Sequence, residues 1–185
     1  KNYDKALEIA KAVVEKTTVG DPMDENSKMG PISNKAQYEK VIRMIEIGIE
    51  EGATLVAGGT ELPDGLDKGY YVKPTVFADV TNDMTIAREE VFGPVLCILK
   101  YETEEEAIEI ANDTDYGLAG YVQGEINHAQ EVARHIRAGQ ITINGGNREN
   151  NAPFGGYKAS GNGREHGTHG LEDYLETKAM ISPLG

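Results

Sequence analysis

Residues 95–144 read "VLCILKYETEEEAIEIANDTDYGLAGYVQGEINHAQEVARHIRAGQITIN", and this stretch decides the fold. Its first six residues, "VLCILK" at 95–100, are almost continuously apolar, the pattern of a strand buried on both faces. Thr103 followed by Glu106 makes a capping box for a helix that carries Ala107, Ile108, Ile110 and Ala111. "LAGYVQG" at 118–124 reads as the next strand. Asn127 is the candidate cap of a second helix, which buries Val132, Ala133 and Ile136 and stops at Gly139. "QITIN" at 140–144 is the strand after it. Strand, helix, strand, helix, strand predicts right-handed crossovers in an α/β fold with a mainly parallel sheet and helices on both faces.

Working upstream, residues 2–16 place Ala6, Leu7, Ala10, Val13 and Val14 on one side of a helix. "TTVGDPMDENSKMGP" breaks that pattern with Gly and Pro. Residues 34–51 predict the longest helix, striped by Tyr38, Val41, Ile42, Ile45 and Ile49 and stopped at Gly52. Thr54–Ala57 is a short apolar run. In "YYVKPTVFADV" Pro74 argues against a central strand in the first half.

Downstream of Asn144 the periodicity lapses into "PFGGYKASGNGREHG" at 153–167. Linkers rarely interleave glycine with Phe, Tyr, Lys, Arg and Glu. Bare backbone among such side chains instead indicates sharp turns or the close approach of another group. A last extended run at 173–181 is a candidate edge strand for joining a second chain.

At 185 residues the expectation is a single domain, 1–185, around one core. The chain opens at Lys1 on a helical pattern, as a piece of a longer protein would. A formal charge of −13 disfavours nucleic acid, whose phosphates it repels. No apolar run is long enough for a membrane-spanning helix. The lone Cys97, flanked by apolar residues, excludes an internal disulfide, suits a reducing cytosol and reads as structural, since burial raises a thiol pKa.

Motif searches are mostly negative. Gly161, Gly163 and Gly167 do not have dinucleotide-fingerprint spacing, and Lys158 is not preceded by the glycine of a phosphate-binding loop. His128, His135, His166 and His169 lack the companions of a zinc site and read as exposed. Two acids stand apart from the solvated majority: Glu90, just before the buried strand, and Glu165, inside the glycine run.

The ordered set "EEVFGPV" (89–95), "YGLAGYV" (116–122), "AGQITIN" (138–144) and "PFGGYKASGNGREHG" resembles the aldehyde dehydrogenase superfamily. "VGDPMD…MGPIS" and "KPTVFADV" upstream are similar to its catalytic domain, so the likeness runs from about Val19 to Ile181. The resemblance implies oxidation of an aldehyde to a carboxylic acid with NAD or NADP through a cysteine thioester. That chemistry needs a thiolate, donors for the developing oxyanion and a base for water. In the family these parts, and the cofactor domain, lie upstream of everything matched, and Cys97 does not match the nucleophile. The chain therefore resembles the downstream part of the catalytic half, expected to be inactive in isolation.

By the same resemblance Glu90 is expected to accept hydrogen bonds from the nicotinamide-side ribose, with Phe92 packed beside it. Asn144 falls where the family has an asparagine near the active site that orders local loops. Phe154 falls on an aromatic of the substrate tunnel. Glu165 falls on a second acid behind the catalytic cysteine, where it relays protons; pairing with Arg164 or Lys158 is its alternative reading. Glu90 and Glu165 are expected to face a common cleft. Gly155 and Gly156 would admit close backbone approach, and Gly161 and Gly163 would turn the chain. The polar "GGNRENNA" at 145–152 implies a small or polar aldehyde. Two alternatives stand beside the enzyme: a non-catalytic oligomerisation module of the same fold, and a CoA-acylating relative, although "FGGYKASGNGRE" is closer to the hydrolytic branch. A homo-oligomer fits the final run.

Overall fold

A computed structural model describes residues 2–147 and 149–183. Where one domain was expected, the chain groups into two compact units, residues 1–102 and 103–185.

The first unit holds helices α1 (Tyr3–Glu15) and α2 (Lys35–Glu50), strands β1 (Thr54–Ala57) and β2 (Thr75–Ala78), the short helix α3 (Thr85–Arg88) and strand β3 (Val95–Cys97). The sheet order is β1-β2-β3, with β1–β2 antiparallel and β2–β3 parallel. β2 begins immediately after Pro74, so the missing N–H falls outside the ladder. Every residue of this central strand is buried. The α2 cap is Asn34, whose side chain accepts from Gln37 N at 2.9 Å, satisfying one orphan donor of the first turn. Val41, Met44 and Ile45 from α2 pack with Phe77, Val80 and Ile86 to make the core.

The predicted α1 stripe is only half realised. Leu7, Ala10 and Val14 are half-buried, whereas Ala6 and Val13 are exposed. α1 is docked through Tyr3, whose hydroxyl accepts from Asp79 N at 2.7 Å and whose ring lies under Lys100 Nζ at 4.4 Å.

The second unit contains α4 (Glu104–Asn112), β4 (Ala119–Val122), α5 (Ile126–His135), β5 (Gln140–Ile143), a single 3₁₀ turn (Lys158–Ser160) and α6 (Gly167–Glu172). β4 and β5 pair in parallel around α5, as the sequence pattern predicts. Thr103 caps α4, accepting from Glu106 N at 3.2 Å.

Four expectations need correction. β3 and β4 fall in different sheets, so the predicted continuous ladder from residue 95 to residue 144 stops at β3. β3 is an edge strand three residues long, and Leu96 is 50% exposed rather than buried on both faces. The α5 cap is Glu125, which accepts from Asn127 N at 3.1 Å and His128 N at 2.9 Å; Asn127 sits inside the first turn. Within 173–181 no residue belongs to a strand. Among the described residues no helix is long and apolar enough to cross a membrane.

The two units differ in how well they close. Of the eleven buried apolar residues described, ten lie in the first unit, and Ala129 alone lies in the second. The second unit leaves Leu118, Tyr121, Leu171 and Leu175 exposed.

Candidate active site

In the first unit the candidate residues sit on the turn between α3 and β3. Phe92 has φ +54°, a left-handed backbone that a bulky side chain rarely adopts. Its ring is 73% exposed, so burial of that ring is not what holds the conformation. The turn's carbonyls are held instead: Gln37 Nε2 donates to Val91 O at 2.9 Å and to Phe92 O at 3.0 Å. Lys40 Nζ donates to Glu90 O at 2.5 Å. Glu90 is exposed, and among the described residues its carboxylate has no hydrogen-bond or ion-pair partner. The turn thus presents a free carboxylate and a bare aromatic face on a tethered backbone. An ionised carboxylate suits a pair of hydroxyl donors, and a flat ring suits a heterocycle or sugar face.

In the second unit the glycine-rich run folds back on itself. Phe154 and Glu165 form an antiparallel bridge, each N–H donating to the other's carbonyl at 2.7 Å. The bridge closes the loop 155–164. Inside it, Arg164 Nη1 donates to Gly156 O (2.9 Å), Asn162 O (3.1 Å) and Gly163 O (2.9 Å), and its guanidinium lies 5.5 Å from the Tyr157 ring centre. Lys158 Nζ donates to Asn112 O at 2.7 Å and Thr114 O at 2.8 Å, closing the end of α4. The charges among the glycines therefore serve carbonyls, and neither cation pairs with Glu165 among the described residues. That removes the ion-pair alternative for Glu165.

The glycines earn their place by close approach. A Cβ on Gly139 would lie 1.7 Å from Gly155 O, so β5 begins in backbone contact with the loop. Gly163, by contrast, faces open space, and its turning role is not needed. Phe154, Arg164 and Glu165 line an open groove of about 390 Å³. Phe154 also lines a wider one of about 880 Å³ with Asn147 and Glu149. The expectation for residues 145–152 includes Arg148, which lies outside the described residues.

Asn144 lies between Ile143 and Gly145, which line the wider groove, but is not itself part of its lining. It has φ +50°, which asparagine tolerates, and its amide spans the turn after β4: Oδ1 accepts from Gly124 N and Nδ2 donates to Gly124 O, both at 2.9 Å. Its side chain orders a loop. Gln37 and Lys40, which hold the turn in the first unit, and Arg164, which fills the glycine loop in the second, carry no local signal in the sequence; Gln37 and Phe92 are 55 positions apart.

Cys97 is no nucleophile here. Burial pushes its thiol up to about 11, and Sγ lies 3.9 Å from Ile86 O. The histidines of α5 and α6 sit beside acids, His128 by Glu104 at 2.5 Å and His169 by Glu172 at 3.5 Å. Among the described residues no group of three or more acids, His or Cys could hold a metal ion.

The description of the aldehyde dehydrogenase family matches residues 1–180. The chain is 49% identical over 183 residues to 3-succinoylsemialdehyde-pyridine dehydrogenase of a Pseudomonas species, covering 98% of this chain and 38% of that protein. Among solved structures, aldehyde dehydrogenase C of Pseudomonas syringae, in complex with NAD+ and octanal, superposes with a TM-score of 0.96 at 49% identity, over 100% of this chain and 39% of that one. The Mycobacterium tuberculosis aldehyde dehydrogenase in complex with NAD+ gives 0.94 at 45% identity, over 100% of this chain and 38% of that one. The chain thus spans less than two fifths of the length of these relatives. With the α/β fold, the tethered "EEVFGP" turn and the bridged glycine loop in place, the match over almost the whole length shows that this chain belongs to the aldehyde dehydrogenase family.

Proposed function

We propose that this chain is the downstream part of the catalytic half of an NAD(P)-dependent aldehyde dehydrogenase, which oxidises an aldehyde to a carboxylic acid through a cysteine thioester. The cysteine, the water-activating base and the cofactor domain belong to the rest of the full-length protein. Three observations support the division of labour. The only cysteine present, Cys97, is held in its neutral thiol form at pH 7. The chain covers 38% of the length of its curated relative. Among its described residues the second unit buries a single apolar residue, a deficit that further chain packed on its exposed leucines and tyrosines would make good.

The observation that carries the reading is the turn at residues 89–93, where a strained, exposed Phe92 stands beside a carboxylate with no hydrogen-bond or ion-pair partner among the described residues. Strain of this kind persists only where surrounding structure holds it, and it concentrates at functional sites. Bound, the dinucleotide supplies the acceptor for the two electrons of the aldehyde C–H bond. Glu90 accepts hydrogen bonds from the hydroxyls of its nicotinamide-side ribose, each contributing roughly 1.5–3 kcal/mol. Phe92 offers a flat face beside the same sugar. Phe154 shapes the groove for the aldehyde, and Asn144 steadies the loop after β4. Glu165, its carboxylate unpaired among the described residues, takes protons passed on from the base that activates water.

The test is Glu90→Ala in the full-length protein. The reading expects a loss of roughly 1.5–3 kcal/mol or more of cofactor-dependent transition-state stabilisation, read as kcat/KM for NAD(P). Unchanged cofactor kinetics would overturn it.

A further inference from the structure

Two asparagines of this chain are followed directly by glycine: Asn144–Gly145 and Asn162–Gly163. At such a step the glycine nitrogen can close a five-membered ring on the asparagine side-chain carbon, and no Cβ screens it. This is one route by which asparagine is thermolabile. The fold treats the two steps differently.

Asn144 is clamped. Its Oδ1 accepts from Gly124 N and its Nδ2 donates to Gly124 O, both at 2.9 Å, and its own N–H donates to Val122 O at 3.0 Å. The amide cannot turn towards Gly145 N without losing both side-chain bonds. Asn162 is exposed, and among the described residues its side chain has no hydrogen-bond partner and the Gly163 N–H has no acceptor. Crowding at the glycine does not separate the two steps, since a Cβ on Gly145 or on Gly163 would meet nothing within 4 Å. Arg164 adds a second difference: its Nη1 donates to Asn162 O at 3.1 Å. That carbonyl and the Gly163 N–H belong to one peptide unit. A cationic donor on the oxygen draws electrons from the nitrogen and makes its proton easier to lose.

We propose that Asn162–Gly163 is a self-modification site, the fold directing deamidation to Asn162 and withholding it from Asn144. Gly163 N gives its proton to solvent and attacks Asn162 Cγ. The N–Cγ bond forms, the Cγ–Nδ2 bond breaks, and the amide nitrogen takes up a proton and leaves as ammonia. Water then opens the succinimide at one carbonyl or the other, leaving aspartate or isoaspartate at position 162. Either product adds a negative charge beside the Arg164 guanidinium. Isoaspartate also lengthens the backbone of loop 155–164 by a methylene between ends fixed by the Phe154–Glu165 bridge. The groove lined by Gly161, Gly163, Arg164 and Glu165 changes shape with it.

The experiment ages the full-length protein in mildly alkaline buffer and follows both asparagines by proteolysis and mass spectrometry, with aspartate and isoaspartate peptides separated by chromatography. Conversion at Asn162 is expected to run about tenfold or more faster than at Asn144, the scale of two neutral hydrogen bonds broken before the ring can close. Isoaspartate is expected among the products, because it forms only through the ring. In urea the clamp is gone, and the two rates are expected to converge. Gly163→Ala, whose methyl screens the attacking nitrogen, is expected to lose most of the conversion at Asn162. Equal rates in the folded protein, an Asn162 that stays intact, or aspartate without isoaspartate overturns the proposal. A gap that survives in urea overturns it too, because the local sequence and not the fold then sets it. Should Gly163→Ala fold poorly, the comparison of Asn162 with Asn144 in the unaltered protein decides alone.

Discussion

Phe154 and Glu165 exchange backbone hydrogen bonds at 2.7 Å in both directions, which sets an aromatic ring and a carboxylate side by side on one rim of a groove. The loop they close is filled by its own cations, Arg164 bonding loop carbonyls and Lys158 bonding the end of α4. Among the described residues neither cation pairs with the Glu165 carboxylate. The glycine-rich run is thus a rigid frame, not a tether.

The frame tolerates a methyl group at some glycines and not at others. Gly139→Ala drives a Cβ to 1.7 Å from Gly155 O, a clash with backbone that cannot rotate away. It is expected to cost about 3 kcal/mol or more in urea unfolding and to abolish activity of the full-length protein. Gly156 is buried, and a Cβ there would meet Ser160 Cβ at 2.6 Å, so Gly156→Val should fail in the same way. Gly163→Ala, which meets nothing, is expected to stay within about 0.5 kcal/mol. Equal effects at Gly139 and Gly163 would contradict the close-approach account.

Cys97 should behave as an inert thiol. With its pKa pushed up to about 11 by burial, roughly one molecule in ten thousand carries the thiolate at neutral pH. Iodoacetamide labelling is therefore expected to be far slower than for free cysteine, and Cys97→Ala in the full-length protein should keep its activity. Loss of thioester chemistry in that variant would make Cys97 the nucleophile and reverse the assignment.

The Asp79–Lys100 pair gives stability a pH window. Hydrogen bonds, first from Lys100 at 2.6 Å and then from Thr54, hold the Asp79 carboxyl below the ordinary aspartate range. Asp79 in turn holds the Lys100 ammonium above the ordinary lysine range. A lowered acid contributes stability above its unfolded pKa and loses it as pH falls through the folded value. A raised base contributes below its unfolded pKa and loses it as pH rises through the folded one. The pair's share is therefore expected to be flat between about pH 4 and about pH 10 and to decline on both sides. Both groups are exposed, so the effect is small and weakens with salt. Asp79→Asn keeps a residue suited to the φ of +53° and should flatten both limbs of the urea midpoint against pH. A variant with unchanged limbs would remove the pair from the explanation.

Much of the fold is legible locally. Asn34 to Gly52, Thr54–Ala57, the Thr103 cap and the parallel β4–β5 unit all follow from spacing and capping chemistry. The misses share a physical origin. An apolar run such as "VLCILK" shows that a strand forms but not how many neighbours it finds, so the exposed edge at Leu96 was invisible. Glu125 and Asn127 both carry acceptors, and only the backbone geometry chooses Glu125. The candidate residues Glu90, Phe92, Phe154 and Glu165 were proposed through motifs, while the amide that holds the Val91 and Phe92 carbonyls comes from a helix whose pattern reports only its buried face.

The most direct test is a crystal structure of the full-length protein with NAD bound. Glu90 Oε1 or Oε2 is expected about 3 Å from the hydroxyls of the nicotinamide-side ribose, with Phe92 beside that sugar and its φ still positive. A ribose held by other residues, with Glu90 turned to solvent, would contradict the account.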